Sequence, residues 1–481
     1  MKRSLWLGCL LCLSACTTVG PDYAVPKNAA VQRGDLNGPL RQDADSVVSA
    51  PVPENWWQLY QDPRLNALVR QALAANSDLR VATANIARAR SQVEVAEAQG
   101  GFSGSGKMSA QRLQESGEAF LKPEKVPVAN IGEAILSASY QFDLWGTFKR
   151  GTEAAQANAD AAQAAADTAR ITVVADVVKA YTQVCSANEE YHIARESLDL
   201  QEQGVRLTQR LRDAGRGDET QVTRTQTQFK SLRAELPRFQ AEREAGLFTL
   251  AALLATPVAQ LPAGTAECAE LPQLTQLIPV GDGAALLKRR PDVRQAERQL
   301  AAATASIGVA TGALYPDISI GAQVGTIGIL DNLGEPATNR WGFGPLVNWT
   351  LPTNGTRARI REAEASTQAA LARFDGVVLN AIRETQTRLA QYSALLDRRE
   401  ALADAERSAK QAADQTHQFY QAGRASFLED LQATRTYTTM RGQLAAADAQ
   451  VALGQINVFL ALGGGWHAPT PAPAPRTTPS R

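Results

Sequence analysis

The chain is 481 residues long, carries 49 basic and 49 acidic residues, and is only 6% aromatic. Such a balanced charge gives no electrostatic signature of nucleic-acid binding. No run of about 18 uninterrupted apolar residues follows the N-terminus, so no transmembrane helix is expected there. The composition instead favours long helices that pack closely through small side chains.

The N-terminus has the pattern of an export signal. Lys2 and Arg3 supply positive charge, and Leu5–Leu13 supplies a short apolar core. The signal ends in Leu13-Ser14-Ala15-Cys16, which resembles the bacterial lipobox. That resemblance implies removal of residues 1–15, acylation of Cys16 and, since Thr17 follows, residence in the outer membrane. An ordinary signal peptide with an incidental cysteine is the alternative.

The residues after the signal are expected to be extended at first and helical later. Residues 16–61 contain several prolines and few periodic apolar positions, and Trp56-Trp57 should anchor their end. Asp62 followed by Pro63 is typical of a helix start. This helix should break near Asn76-Ser77 and resume to about Gln99.

Four segments alternate apolar and polar residues with a period of two. Their apolar positions are Phe102 to Ala110, Leu136 to Leu144, Ile318 to Val324 and Trp341 to Leu351. Alternation over about 9–11 residues with an aromatic-edged apolar face is typical of a transmembrane β-barrel. Half-buried strands of a soluble sheet alternate in the same way, but the lipobox and the absence of other strands favour the membrane.

Very long helices are expected after each pair of strands. A helix over residues 152–211 would measure about 90 Å at 1.5 Å per residue. Ile171, Val178 and Cys185 are spaced seven apart, as are Ile193, Leu200 and Leu207, which is typical of coiled coils. The helices should end at Gly turns, and Asp218 and Ser426 should cap the returning helices.

This whole order of elements occurs twice. Ala214-Gly215-Arg216 recurs as Ala422-Gly423-Arg424, 208 residues later. We therefore expect a first repeat over 62–256, an equatorial linker over 257–282, a second repeat over 283–462 and a disordered Pro-rich tail over 463–481.

Two cysteines remain after the signal and the acylated Cys16. Counting residues back from the first helix tip places Cys185 close to the height of the loop that carries Cys268. We expect a disulfide between them, with two free thiols as the alternative. The three histidines are isolated in the sequence, so no metal site is expected.

No catalytic or cofactor site is expected. Residues 101–107 match the phosphate-loop spacing, but Met108 replaces the magnesium-binding Ser or Thr, and a helix precedes where a strand is needed. No nucleophile triad or paired-carboxylate cleft stands out. The chain is expected not to be an enzyme.

Four membrane strands cannot close a barrel, and an open sheet edge in lipid leaves backbone groups unpaired. The chain should therefore oligomerise. Three copies would give a 12-strand β-barrel and a 12-helix periplasmic α-barrel, which together form a conduit.

Several motifs, taken in order, resemble the outer-membrane efflux lipoproteins, the TolC-type and NodT-like channels that serve resistance–nodulation–division pumps. They are Cys16 to Tyr23, Trp56-Trp57, Arg289 to Arg294, Ala313 to Pro316 and Leu462 to Trp466. The resemblance implies a lipid-anchored homotrimer in the Gram-negative outer membrane, a periplasmic membrane-fusion adaptor, an inner-membrane pump, and no cofactor. Its cargo would be drugs or other small toxic compounds.

The resemblance also implies functional positions near the helix tips. The family closes its periplasmic end with acidic residues whose pattern falls on Glu429 and Gln432, and Asp430 can substitute for the acid missing at Gln432. Glu429 and Asp430 could equally be ordinary first-turn acids of a helix. The tips at Gly215-Arg216 and Gly423-Arg424 would dock the adaptor. Leu428 is a further gate position.

Two other functions are weighed against the efflux channel. A protein-secretion (type I) outlet on the same fold is the first alternative. A periplasmic adaptor lipoprotein is the second, but it would need only one hairpin and a soluble β-domain.

Overall fold

The structure is a computed structural model, and it describes residues 18–40, 47–114, 116, 118, 121, 123–274 and 276–464. The expected signal peptide, Cys16 and the part of the expected tail from residue 465 onward lie outside these residues. All structural statements below concern the described part of the chain.

The chain passes through the same order of elements twice. The first pass is α1 (Pro63–Ala75), α2 (Ser77–Glu97), β2 (Gly101–Leu113), β3 (Ala129–Phe142), α3 (Thr147–Asp213) and α4 (Glu219–Leu253). The second pass is α5 (Gly283–Arg289), α6 (Pro291–Gly312), β5 (Asp317–Ile329), β6 (Asn339–Asn348), α7 (Asn354–Gln421) and α8 (Phe427–Ala461). The predicted duplication of helices, strand pair and long hairpin is confirmed.

Polar side chains start the helices where the sequence predicts. The Asp62 carboxylate accepts the backbone N–H groups of Arg64 and Leu65 ahead of Pro63. The carboxylate of Asp218 accepts the N–H of Gln221, and the Ser426 side chain accepts that of Glu429. Both predicted caps are therefore confirmed, and they satisfy N–H groups that lack helical partners.

Four helices end in the same hydrogen-bonded turn. In the first, the N–H of Arg216 donates to the carbonyl of Leu211 and that of Gly215 to the carbonyl of Arg212, both at 2.8 Å. This pair of bonds is a Schellman motif, which needs a residue of positive φ. The residues in that conformation are Gly215, Ala255, Gly423 and Gly463.

Only Ala255 among these four carries a Cβ, and its φ is 50°. The left-handed conformation costs such a residue roughly 1–2 kcal/mol. Its counterpart 208 residues later is Gly463. We expect Ala255→Gly to stabilise the fold by about 0.5–1 kcal/mol and to raise the thermal unfolding midpoint. The control is Ala252→Gly, inside α4, which should lower that midpoint. If Ala255→Gly lowers the midpoint as well, the turn at Ala255 is not strained.

The four long strands form one antiparallel sheet in the order β2-β3-β5-β6. Its register pairs Lys107 with Ile135, Ile135 with Gly325, and Gly325 with Arg340. Partners in such a ladder share a face, so the alternating residues of all four strands divide into the same two faces. The predicted alternation is confirmed over these strands.

The strand boundaries differ from the prediction at several ends. β3 ends at Phe142, so Leu144 follows it, and β5 continues past Val324 to Ile329. β3 begins at Ala129, seven residues before the first predicted apolar position, and β6 ends at Asn348. Trp349 and Leu351 therefore follow the strand instead of belonging to it. The Trp349 indole donates to the carbonyl of Leu314, which draws this residue out of the ladder.

A second, two-stranded sheet was not predicted. β1 (Val47–Val48) pairs in parallel with β4 (Ile278–Pro279), so the N-terminal segment pairs with the linker. The expectation of no strands besides the four long ones is wrong here. Each strand has only two residues, too short for a periodic signal.

The described N-terminal segment also contains short 3-10 turns, so it is only partly extended. Its end is anchored as expected. Trp56 is 1% exposed, and its ring stacks on that of Phe459 with 4.7 Å between centroids.

The chain divides into two compact units, and each contains segments of both repeats. One unit comprises Met1–Pro26, Ile86–Ala162 and Ala296–Phe374; the other comprises Lys27–Asn85, Gln163–Gln295 and Asp375–Arg481. The first contains the four-stranded sheet. The second contains the largest apolar core, built around Trp56, Tyr181 and Phe459.

One described helix, α8, is long and apolar enough to cross a membrane by length and composition. Core helices of soluble proteins pass the same test, so the expectation that no transmembrane helix follows the N-terminus stays a prediction. Half of its most apolar window is buried within the chain, and Ile456 and Phe459 are fully buried. Its apolar residues contribute to the core of the second unit.

Cys185 and Cys268 form a disulfide in this structure, with their Cα atoms 4.7 Å apart. Asn188 supports the cysteine-bearing loop by donating to the carbonyls of Ala266 and Cys268. The bond spans 83 residues. A loop of that size implies about 4–5 kcal/mol in a chain-entropy model.

The disordered tail was expected to begin at residue 463, but residues 463 and 464 are ordered parts of the fold. Gly463 and Gly464 are buried, and their backbone completes the turn that ends α8. A Cβ on Gly463 would come within 3.2 Å of Arg290, so this close approach favours glycine. The remaining tail lies outside the described residues.

Candidate functional site

The two faces of the four-stranded sheet differ sharply in chemistry. One face exposes large apolar side chains, among them Phe102 at 75%, Trp341 at 82% and Phe343 at 72%. A soluble monomer rarely leaves such a contiguous patch in water. The aromatic residues and the alternation are suited to contact with lipid.

The opposite face of the sheet carries most of the polar side chains, although Ile135, Ile327 and Leu346 share it. The hydroxyl groups of Ser103 and Ser139 lie 2.8 Å apart, and the Lys107 ammonium pairs with the Glu133 carboxylate at 2.7 Å. Polar groups facing a water-filled lumen keep their hydration, whereas in lipid each would be costly. The sheet is therefore built as one section of a channel wall.

Both edges of this section are open. Among the residues that the structure describes, β2 pairs only with β3, and β6 pairs only with β5. Each outer edge presents a row of backbone N–H and C=O groups without strand partners. A membrane environment requires another chain to pair with them.

The hairpin tips are exposed turns of nearly identical geometry. Gly215 has a φ of 71° and Gly423 one of 69°, and no atom lies within 4 Å of a Cβ built on either. Arg216 and Arg424, which follow them, are exposed. The tips are accessible to another protein.

Glu429 is exposed and belongs to a capping box. Its carboxylate accepts the backbone N–H of Ser426 at 2.6 Å, while its own N–H donates to the Ser426 hydroxyl. The bonds with Ser426 hold the pKa of Glu429 below its usual range. The residue is therefore charged at neutral pH and has a structural role in the helix start.

Asp430 occupies a different environment from its neighbour. It is 7% exposed, and one carboxylate oxygen lies 3.1 Å from Nδ1 of His417. Its Oδ1 atom is buried and has no hydrogen-bond partner among the described residues. Gln421 in turn lies 2.9 Å from Nε2 of the same histidine.

The remaining proposed gate positions line a cavity of about 530 Å³. Leu428 and Gln432 contribute to it, together with Gln201 and two arginines, Arg224 and Arg435. The structure thus separates the proposed gate residues. Glu429 is at the surface, Asp430 is buried against His417, and Leu428 and Gln432 face this cavity.

Sequence reasoning missed His417, which it treated as isolated. The histidine and Asp430 are 13 residues apart, on opposite helices of the α7–α8 hairpin. Pairing the hairpin around Gly423 would have brought them together. Helix periodicity alone carries no such signal, because it describes one helix at a time.

Sequence reasoning also missed a polar seam near the first tip. The distal apolar positions Leu200 and Leu207 are only partly buried, while Gln201 and Thr208 are 1% exposed. Thr208 lies 3.0 Å from the Thr225 hydroxyl. Of the predicted series Ile193, Leu200 and Leu207, only Ile193 is buried within the single chain.

Comparisons with known proteins cover nearly the whole chain. The family model described as "Outer membrane efflux protein" matches residues 68–256 and 284–464. Nodulation protein T of Rhizobium leguminosarum bv. viciae is 28% identical over 460 residues, which cover 95% of this chain and 92% of that protein. The probable efflux pump outer membrane protein TtgC of Pseudomonas putida is 26% identical over 468 residues, covering 95% and 94%.

The fold is also similar to solved structures. The structure of the outer-membrane channel OprN superposes with a TM-score of 0.84 at 31% sequence identity, covering 94% of this chain and 100% of that one. The family match leaves out residues 257–283, which join the two repeats.

Proposed function

Because this chain belongs to the outer membrane efflux protein family and is a channel protein of the Gram-negative outer membrane, we propose that three copies form the outermost conduit of a tripartite efflux system. In this proposal the trimer works with a periplasmic membrane-fusion adaptor and a proton-driven inner-membrane pump. It is a passive channel, and it exports drugs or other small toxic compounds.

The open-edged four-stranded sheet carries the proposal of a trimer. A sheet with one lipid-suited face, one polar face and two unpaired edges is not stable alone in a membrane. Three such sheets supply twelve strands, enough to close a barrel around a water-filled lumen. The β6 edge of one copy would meet the β2 edge of the next in antiparallel orientation, which continues the sheet order.

Native mass spectrometry of the detergent-solubilised protein tests this assembly. We expect a single species of three times the mass of the mature chain. A monomeric or dimeric species in mild detergent would contradict the proposal. Cross-linking in cells that express candidate adaptors then tests the partners.

The comparisons favour small-molecule cargo over protein secretion. A relative at 26% identity is named as an efflux pump component, and no relative described above is named for protein export. Susceptibility assays in a strain that lacks this chain test the cargo. Restored resistance to several unrelated compounds on complementation would support the proposal, and secretion of a protein without any change in susceptibility would oppose it.

We expect Cys16 to be the acylated mature N-terminus. Labelled palmitate should enter the wild-type chain and not the Cys16→Ala variant, because the thiol is the acceptor. The variant should retain part of its efflux activity, since the sheet provides its own membrane insertion. Equal labelling of the wild type and the variant would mean that Cys16 is not the acylated residue and that the signal peptide is an ordinary one.

We propose that Glu429, with Leu428, Asp430 and Gln432 nearby, closes the periplasmic end of the resting channel. Three copies of an exposed, charged Glu429 would form a ring that attracts cations. Its depressed pKa favours the charged form. Buried Asp430 would contribute to the ring only after the His417 contact opens.

The expected result is a loss of cation preference in planar bilayers when Glu429 is replaced by glutamine. Glutamine keeps the capping box while it removes the charge, so the helix start stays intact. Ser426→Ala is the matched control, because it weakens the cap and keeps the charge. If Glu429→Gln combined with Asp430→Asn leaves conductance and selectivity unchanged, these acids only support the hairpin, and the gate lies among Leu428, Leu431 and Gln221.

A further inference from the structure

Within the described part of the chain, Arg289 has no anionic partner, in contrast to its neighbour Arg290. The guanidinium of Arg290 bonds the carboxylates of Asp292 and Glu384 and the carbonyl of Ala461. Arg289 makes one bond, from Nε to the carbonyl of Leu462 at 2.8 Å. Its Nη2 atom is buried without a hydrogen-bond partner among the described residues.

Such a group is costly for the fold. A guanidinium group removed from water loses hydration that only an acceptor or a counter-charge can replace. Burial lowers the pKa of Arg289 to about 10, and no neighbouring carboxylate offsets this effect. The half-buried side chain is nevertheless charged at neutral pH, so the site holds a partly desolvated cation.

A cavity of about 510 Å³ lies beside this side chain. Its lining brings three cationic residues and one carboxylate together, with a loop from the N-terminal segment as the opposite wall. The lining includes Ser49, Val52, Asp282, Lys288, Arg289 and Arg294.

Two of the other charges in the lining, Arg294 and Asp282, are already engaged. Arg294 pairs with Asp167 at 2.8 Å, outside this lining. The Asp282 carboxylate accepts the N–H of Ala285 and so caps α5. Arg289 has a buried donor, Nη2, without a partner among the described residues, and Lys288 adds an exposed positive charge at the same cavity.

We propose that this cavity is a binding site for a small oxyanion, a phosphate or carboxylate group, held by Arg289 with Lys288 beside it. Guanidinium groups bond both anions through paired, charge-assisted hydrogen bonds. The site lies within the second unit and does not involve the four-stranded sheet, the hairpin tips or the proposed gate residues. It therefore goes beyond the proposed efflux function and does not depend on it.

Isothermal titration calorimetry on the purified full-length protein tests the site. Sodium phosphate and sodium succinate are titrated separately at constant ionic strength, with sodium chloride as the reference. We expect saturable binding of at least one of the two, and which one binds identifies the source of the oxyanion. No saturable heat with either would overturn the proposal.

Variants assign the binding to this cavity. Arg289→Gln should weaken binding about tenfold or more, the loss expected for a charge-assisted hydrogen bond. Ser49→Asp should place a competing carboxylate in the cavity and abolish binding, whereas Ser49→Asn, equal in shape and uncharged, should leave it. Unchanged affinity in both Arg289→Gln and Ser49→Asp would overturn the assignment.

A further experiment tests whether acidic residues of the chain itself pair with Arg289. Asp43 and Asp45 lie outside the described residues, between Leu40 and Val47 in the sequence. If phosphate or succinate binds only after both are replaced by asparagine, Arg289 pairs within the chain and the proposal is wrong. Equal binding in that double variant and in the wild type supports an external ligand.

Discussion

Cells that depend on this chain for efflux should lose resistance when Gly215 or Gly423 is replaced by valine, although the protein still reaches the outer membrane and assembles. At φ near 70° a β-branched residue is strained by more than the roughly 1–2 kcal/mol of an ordinary side chain. Because no atom lies within 4 Å of either Cβ position, the damage should stay in the turn itself. Minimum inhibitory concentrations measure the effect.

The matched control is Gly423→Asn. Asparagine tolerates the left-handed region, so the turn path and the direction of Arg424 should persist, and resistance should be close to wild type. Resistance that stays normal in both valine variants, with normal trimer levels, would place adaptor docking elsewhere. Loss of trimers in either variant would indicate a role for the turn in folding instead.

Arg290→Ala should destabilise the second unit by about 3–5 kcal/mol, the cost of breaking a buried ion pair by removing one partner. The side chain is 11% exposed and ties the end of α8 to the start of α6 and to Glu384 in α7. Its removal takes the cationic partner from the carboxylates of Asp292 and Glu384 and leaves the Ala461 carbonyl with Thr385 as its remaining side-chain donor. We expect a large fall in the midpoint of thermal unfolding. Tryptophan fluorescence measures this midpoint, since Trp56 is buried in the same unit.

Two controls give this prediction its specificity. Arg33→Ala removes an exposed ion pair with Asp35 and should leave the midpoint almost unchanged. Arg290→Lys keeps the charge but cannot reach three acceptors at once, so its midpoint should fall between those of the wild type and Arg290→Ala. A midpoint for Arg290→Ala within error of the wild type would mean that the network is not coupled to folding.

Local rules predict much of this fold because they depend on neighbours in sequence. Asp218 and Ser426 cap helices through N–H groups three residues away, and the strand faces follow from strict alternation. The disulfide position followed from counting residues along two antiparallel helices. In each case the distance along the chain fixes the distance in space.

The candidate site was harder to predict, since its chemistry depends on burial. Glu429 and Asp430 are adjacent and chemically alike, yet Glu429 is exposed and Asp430 is buried. The same applies to Arg289 and Arg290, of which only Arg290 bonds to carboxylates. Sequence gives the residue type, but the packing of distant segments decides which member of each pair loses its water.

The interleaving of the two repeats has a consequence for how the chain matures. The first unit is complete only when Ala296–Phe374 has been delivered, and the second requires Asp375–Arg481. A nascent chain that ends after the first repeat therefore holds apolar helix faces whose partners have not yet been made. Such segments are prone to aggregation until they find distant partners, so the exported part of the chain needs protection in the periplasm until nearly all of it has arrived.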